Sequence, residues 1–592
     1  MRARMLPRLR PATLAVIVVL ACGLALFGVS PATASTSATL PPAPLDIATL
    51  PQPTLAAPSQ SSWAPDASTR ILVPADADAD VVSEARRLAA QLVELGVMPV
   101  APEVLGYSDA TDATARDLRI TIAPGDPTLE IGAGAVLHAP DAPGHFRLTR
   151  VMLQQLVAAG AWPEGTFTYA TGSPVLAVHL DVARKYYPVE TIKQLLRDMS
   201  WVGLNELEFH FSEFEGFAIE STTHPEIESA TVYTQAEVRE LIEFAAELYI
   251  RITPSLGMPG HLEHVLDVHP EFRLLDSGGG EVFGALDITN TAAVEFVHDL
   301  IGEYAALFEP GKWNIGADEF VDFGDSSEVA TLDAWAASQF GSGATAYDAQ
   351  TQFVNDIAAL LGNYGYSARV WSDGMLRAAF VTLDPDIEVA YWTQRPAGSV
   401  PAATFLDQGY SLLNVNDEYL YFVLGERVGY AYPTGERILD SWHAGVFPAN
   451  STMPYEFAGD HAQVRGGMFA IWSDIPEALS ADEVVAAVRT PIAAFAEKLA
   501  NPDSPLIWDA FAQRLESIGP APVLAAPAPT PLPVTPTPTP TPAPLPPGSA
   551  APPSVVDSTT PPALVAGIII GALALIGLVA AIGLRRSRRT TP

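Results

Sequence analysis

Trp313-Asn314-Ile315-Gly316-Ala317-Asp318-Glu319-Phe320 is the stretch that orders the rest of the chain. Trp313 and Ile315 alternate as residues of a buried strand do, and Gly316 and Ala317 keep the backbone slim beside a ligand. Asp318 and Glu319 then fall where the strand gives way to a loop, so the two neighbouring side chains need not point to opposite faces. Two carboxyl groups this close do not both ionise freely near neutrality, and one tends to hold its proton. A protonated acid beside a charged carboxylate is what glycosidic bond cleavage requires. A solvated Asp-Glu pair at a strand end reads equally well from this stretch alone.

Working outward, the chain from Val175 reads as strands alternating with helices, the pattern of a parallel sheet with crossover helices. Strands are expected at Val175–Leu180, Glu206–Phe211, Ile250–Leu256, Lys312–Ala317, Ala368–Trp371, Ile387–Trp392, Ser411–Val415 and Gly467–Trp472. Helices are expected at Val189–Trp201, Gln235–Leu248, Thr291–Phe308, Ala346–Leu361 and Ala481–Leu499. About eight strands over roughly 330 residues is the count of a (β/α)8 (TIM) barrel, with a doubly wound open sheet as the alternative. Residues 70–174 read as a smaller α/β domain, with strands near Arg70–Val73, Leu118–Ala123 and Ala135–His138 and helices over Val81–Leu95 and Phe146–Ala158. No catalytic cluster falls there.

The ends predict the compartment. Basic residues 1–10, an apolar run from Ala12 to Val29 and the small residues Ala32-Thr33-Ala34 read as a signal peptide over 1–34. Residues 35–69 read as a flexible leader. The barrel is expected to end near 518, and the Pro/Thr-rich segment 519–562 reads as an extended stalk. Residues 563–584 carry no charge and are long enough for a transmembrane helix, and the arginines in 585–592 place that end in the cytoplasm. The protein is therefore expected to be secreted and membrane-anchored, with its folded part outside the cell.

The chain has 592 residues and a net charge of −36. Arg2, Arg4, Arg8, Arg10, Arg585, Arg586, Arg588 and Arg589 lie at the two ends, so the part between is more acidic still. Such a surface repels nucleic acid and anionic polymers. Cys22, the one cysteine, lies in the signal run, which leaves the mature chain without a disulfide.

Several motifs fall just after the strands, where a barrel gathers its site. They are Phe209-His210-Phe211-Ser212-Glu213, Met258-Pro259-Gly260-His261, Asp318-Glu319, Trp371-Ser372-Asp373, Trp392, Asn416 with Tyr419 and Tyr421, and Trp472-Ser473-Asp474. In this order they resemble glycoside hydrolase family 20, the β-N-acetylhexosaminidases. The resemblance runs from about Val175 to Leu499. It implies that Glu319 is the general acid and that Asp318 orients the substrate's 2-acetamido group, whose oxygen attacks the anomeric carbon. Trp371, Trp392 and Trp472 would box that group, and Tyr421 or Tyr419 would donate to its oxygen. Asp474 and Asn416 would bind substrate, and His261 with Glu213 would tune Glu319 from behind. No cofactor and no metal are implied, and no histidine spacing gathers around Asp318. The partner is a glycan bearing N-acetylhexosamine.

Three departures bear on substrate choice. Leu176 stands where the family usually has an arginine for the outer hydroxyls of the terminal sugar, Asp474 replaces a more usual glutamate, and Glu213 replaces an aspartate. Loss of the arginine suggests a sugar already substituted there, as in the lacto-N-biosidases that release a disaccharide. A non-catalytic surface carbohydrate-binding protein is the rival of another class, but it would not need the Asp-Glu pair.

Overall fold

The computed structural model describes residues 46–107, 116–170, 172–321, 328–449 and 455–522. The chain divides into two units, Met1–Val534 and Thr535–Pro592, and every described residue lies in the first. The segments expected to be a signal peptide, most of a stalk, a transmembrane helix and a basic tail fall outside the described residues. Among the described residues, no helix is long and apolar enough to cross a membrane.

Parallel strands close the expected barrel. In chain order they are Val175–Asp181, Glu206–His210, Arg251–Met258, Lys312–Gly316, Ser367–Trp371, Glu388–Tyr391, Leu412–Asn414 and Val464–Trp472. Each pairs with the next, and the last pairs with both the first and the seventh, which closes the ring. The seventh stave is split. Leu412–Asn414 pairs with the lower part of the last strand, and Tyr421–Val423 takes over beside its upper end, Tyr421 opposite Ala470 and Val423 opposite Trp472. One crossover departs from the simple alternation: residues 372–387 join the fifth and sixth strands by turns without a helix. Gly374 and Pro385 interrupt any helical run there.

Side-chain parity sorts the core into two parts. In the first strand, Leu176, Val178 and Leu180 point outward into the large cluster shared with the helices. Ala177 points inward, toward a second cluster with Trp371, Trp392, Tyr421 and Trp472. A period of two allows one strand to feed both. Beneath that aromatic layer the interior is ionic. Arg369 Nη1 donates to Glu206 at 2.6 Å and to Glu208 at 2.7 Å, and its Nε donates to Glu388 at 2.8 Å. Asn314 Nδ2 donates to Glu208 at 2.8 Å. Burial opposes the charge on Arg369, but three carboxylates hold its pKa well above the usual arginine value.

The smaller domain is a seven-stranded sheet. Its outer strand is Leu55–Trp63, antiparallel to Trp162–Thr168. Over the described residues 46–69 this corrects the flexible leader expected for 35–69. Ile47, Leu50 and Trp63 are buried, Gln52 N–H donates to Glu497 at 2.8 Å, and Gln52 Nε2 donates to Ser504 at 2.8 Å. Ala521, expected in the stalk, is buried. Helix Ala142–Ala159 lies between the small sheet and the barrel, and Gln154 Nε2 donates to the carbonyl of Trp201 at 2.6 Å.

Candidate active site

The fourth barrel strand delivers the acidic pair through a strained turn. Gly316, Ala317 and Glu319 have φ of +89°, +69° and +50°. A Cβ on Gly316 would stand 2.8 Å from the Gly257 Cα, so only glycine fits against the third strand. The amide of Ala317 donates to Met258 O at 2.9 Å, and Gln350 Nε2 donates to Ala317 O at 2.7 Å. His261, with φ of +57°, caps the third strand. Non-glycine residues in this region cost about 1–3 kcal/mol each, and such strain collects where side-chain direction matters.

His261 stands at the centre of a charge relay. Its Nδ1 lies 2.7 Å from Glu213 Oε2, and its Nε2 lies 3.4 Å from an oxygen of Asp318 and 3.4 Å from an oxygen of Glu319. Phe214 stacks on the imidazole with centroids 4.3 Å apart. Arg184 Nη2 reaches Glu213 at 2.8 Å, and Arg184 Nη1 reaches Asp181 at 2.9 Å. Burial works against the charge on Glu213, but Arg184 and His261 hold its carboxyl well below the usual range. Burial likewise opposes His261, yet Glu213 and Asp318 hold the imidazole well above its usual pKa. Burial pushes Asp318 up, against the pull of His261 and with help from Glu213 and Glu319.

Aromatic rings wall the other side. Trp371 and Trp472 sit 5.9 Å apart, and Tyr421 stacks on Trp392 at 5.7 Å with 6° between the planes. Trp392 Nε1 donates to Asp373 at 2.6 Å, which fixes that indole. Burial raises the Tyr421 phenol well above its usual pKa, so it stays an O–H donor.

Nine of the eleven expected site residues line one cavity of about 310 Å³: Glu213, His261, Asp318, Glu319, Trp371, Trp392, Tyr421, Trp472 and Asp474. Asn416 and Tyr419 do not. Asn416 Nδ2 donates to Val446 O at 3.0 Å while its oxygen accepts from Glu418 N at 3.0 Å, so both ends hold the loop. Tyr419 lies in the turn before Tyr421–Val423, where the period of two does not operate, and Arg437 lies over its ring at 4.5 Å. Leu176 packs outward, so its side chain is no part of the cavity lining. A roomier cleft of about 450 Å³ at the opposite end of the barrel holds none of the expected residues.

The chain from 176 to 500 matches the model of the glycosyl hydrolase family 20 catalytic domain. The chain belongs to this family. A lacto-N-biosidase of Bifidobacterium bifidum is 28% identical over 381 residues, 61% of this chain and 32% of that protein. A chitooligosaccharidolytic β-N-acetylglucosaminidase of Ostrinia furnacalis is 24% identical over 346 residues, 51% of this chain and 53% of that one. The chain thus spans about a third and about half the length of these two relatives. Among solved structures, Flavobacterium johnsoniae chitobiase superposes with a TM-score of 0.64 at 19% identity, covering 80% of this chain and 72% of that one. That likeness concerns the fold.

Within this family 20 site, sequence reading missed Arg184, Phe214, Glu215, Arg395, Arg427, Val428 and Tyr430, all of which line the cavity. Arg184 had a signal, three residues after Asp181 in the loop that leaves the first strand. The others sit in loops whose approach depends on the fold. Arg395 pairs with Asp417 at 3.0 Å and lies over the Tyr430 ring. Asp417 is buried, which raises its pKa to about 6 against the pull of Arg395.

Proposed function

We propose that the protein is an exo-acting β-N-acetylhexosaminidase that removes terminal β-linked N-acetylhexosamine with retention of configuration. The observation that carries this reading is the meeting of Asp318 and Glu319 with three indoles and the Tyr421 hydroxyl in one cavity. In the proposed reaction, Glu319 protonates the leaving oxygen as the substrate's acetamido oxygen closes on the anomeric carbon. An oxazolinium forms, and the aglycone leaves as an alcohol. Asp318 accepts from the acetamido N–H and offsets the positive charge, a partner that favours its ionised form against the effect of burial. Tyr421 donates to the acetamido oxygen. Glu319, now a carboxylate, takes a proton from the water that opens the ring. Holding an internal nucleophile in place is worth much of the barrier, which is what a tight aromatic cup supplies.

Glu319→Gln tests the assignment. Turnover of an aryl N-acetylglucosaminide is expected to fall by roughly 10²–10⁴-fold with the fold intact, and undiminished hydrolysis removes Glu319 from this role.

Release of a disaccharide is the second reading, favoured by the lacto-N-biosidase relative. With Leu176 turned away from the cavity, the argument from a lost clamp no longer supports it. Rates on aryl N-acetylglucosaminide, N-acetylgalactosaminide and lacto-N-bioside, measured side by side, decide between the two. A clear preference for the last displaces the monosaccharide assignment. The basic and apolar leader and the uncharged segment 563–584 support secretion and anchoring at the cell surface.

A further inference from the structure

Outside the catalytic cavity, the tripeptide His-Pro-Glu occurs twice, as His224-Pro225-Glu226 and His269-Pro270-Glu271. Each copy opens a short turn, Pro225–Ile227 and Pro270–Phe272, with its histidine just before the turn in nearly the same backbone conformation. The first lies in the loop after the second barrel strand, the second in the loop after the third. The fold sets them face to face. Glu226 Oε1 lies 3.1 Å from His224 Nδ1 and 3.1 Å from His269 Nε2.

We propose that His224, Glu226 and His269 form a binding site for one divalent transition-metal ion of the zinc class. One ligand atom from each residue falls within 4.8 Å of the others. Ligand bonds of about 2.0–2.1 Å in a tetrahedron place ligand atoms roughly 3.3 Å apart, close to the spacing already present. Two imidazoles and one carboxylate select zinc-like ions over magnesium or calcium. The fourth position is left to water.

The site is built in advance of any ion. Phe296 packs against both imidazoles, at 4.5 Å and 5.2 Å, and Phe272 stacks on His269 at 5.2 Å. Glu271 Oε1 lies 3.3 Å from the far nitrogen of His269, the outer carboxylate that orients many metal-bound histidines. Nε2 of His224 is buried without a hydrogen-bond partner, so Nδ1 is that ring's available nitrogen. Ser221 and Thr222, just before His224, donate to Glu303 on the same helix as Phe296. None of these residues lines the catalytic cavity. The ion therefore acts as a staple between the two loops that carry Glu213 and His261, and takes no part in hydrolysis.

Chelator-stripped protein titrated with Zn²⁺ is expected to bind one equivalent at micromolar concentration and to unfold at a higher temperature when loaded. Co²⁺ in place of Zn²⁺ is expected to give the visible absorption of a four-coordinate site. The double variant His224→Asn/His269→Asn is expected to lose that equivalent. Glu226→Gln, an exposed change that leaves the packing alone, is expected to weaken binding at least about tenfold. If the double variant fails to fold, the Glu226→Gln result decides. Absence of saturable binding, or equal affinity in Glu226→Gln, overturns the proposal and leaves a His-Glu-His cluster that holds only protons.

Discussion

His261 is the residue on which Glu213, Asp318 and Glu319 converge. Among the charged groups around Asp318 it has the largest influence on that carboxyl, and its pull is downward, ahead of the weaker pull of His210. Replacing His261 with Asn removes the pull, so the Asp318 pKa rises further. If Asp318 must be ionised for turnover, the acidic limb of kcat/KM moves to higher pH, which a pH–rate profile measures directly. An unmoved limb rules out His261 as the group that keeps Asp318 charged. The pair also has a stability window. The His261 pKa is raised, so its contribution is full below the ordinary 6.5 and is lost as pH rises through the folded value. The Glu213 pKa is lowered, so its contribution is full above the ordinary 4.5 and is lost as pH falls through the folded value. The relay is thus fully stabilising between those two ordinary values.

At the scale of elements, the close approach of the third and fourth strands is the most demanding contact. Gly316→Ala forces a Cβ to 3.0 Å from the amide nitrogen of Met258, besides the 2.8 Å clash with the Gly257 backbone. The variant is expected to lose about 1–3 kcal/mol in urea unfolding and to lower kcat, because the carboxylates ride on this turn. A variant equal to the parent in both respects shows that the turn tolerates displacement. The barrel strands were legible because fully buried parallel strands read as short apolar runs between breakers. Val175–Asp181 and Lys312–Gly316 fall within a residue of expectation. Leu55–Trp63 was illegible for the converse reason. Its residues are almost all exposed, it contains Pro58, and its conformation comes from pairing with Trp162–Thr168. Tyr421 against Tyr419 also needed the fold, since strand parity holds only where a strand exists.

For the whole molecule, the segment before residue 70 is structural. A chain shortened to begin at residue 70 loses the buried Leu50 and Trp63 and the amide that satisfies Glu497. Burial of two large apolar side chains alone is worth about 3–6 kcal/mol, so the shortened chain is expected to unfold at clearly lower temperature in calorimetry. An unchanged melting temperature shows that this strand contributes nothing to the barrel.

The same stitching has a mechanical side. Asp46 lies 3.5 Å from Arg514, and Asn501 Nδ2 donates to Gln52 O at 3.0 Å, so both extremities of the folded body are sewn together at one spot. A tug applied beyond residue 522 therefore does not reach the last helix alone. It is shared with the segment that leads into an edge strand laid down hundreds of residues earlier, and peeling the body open from that end means tearing two seams at once.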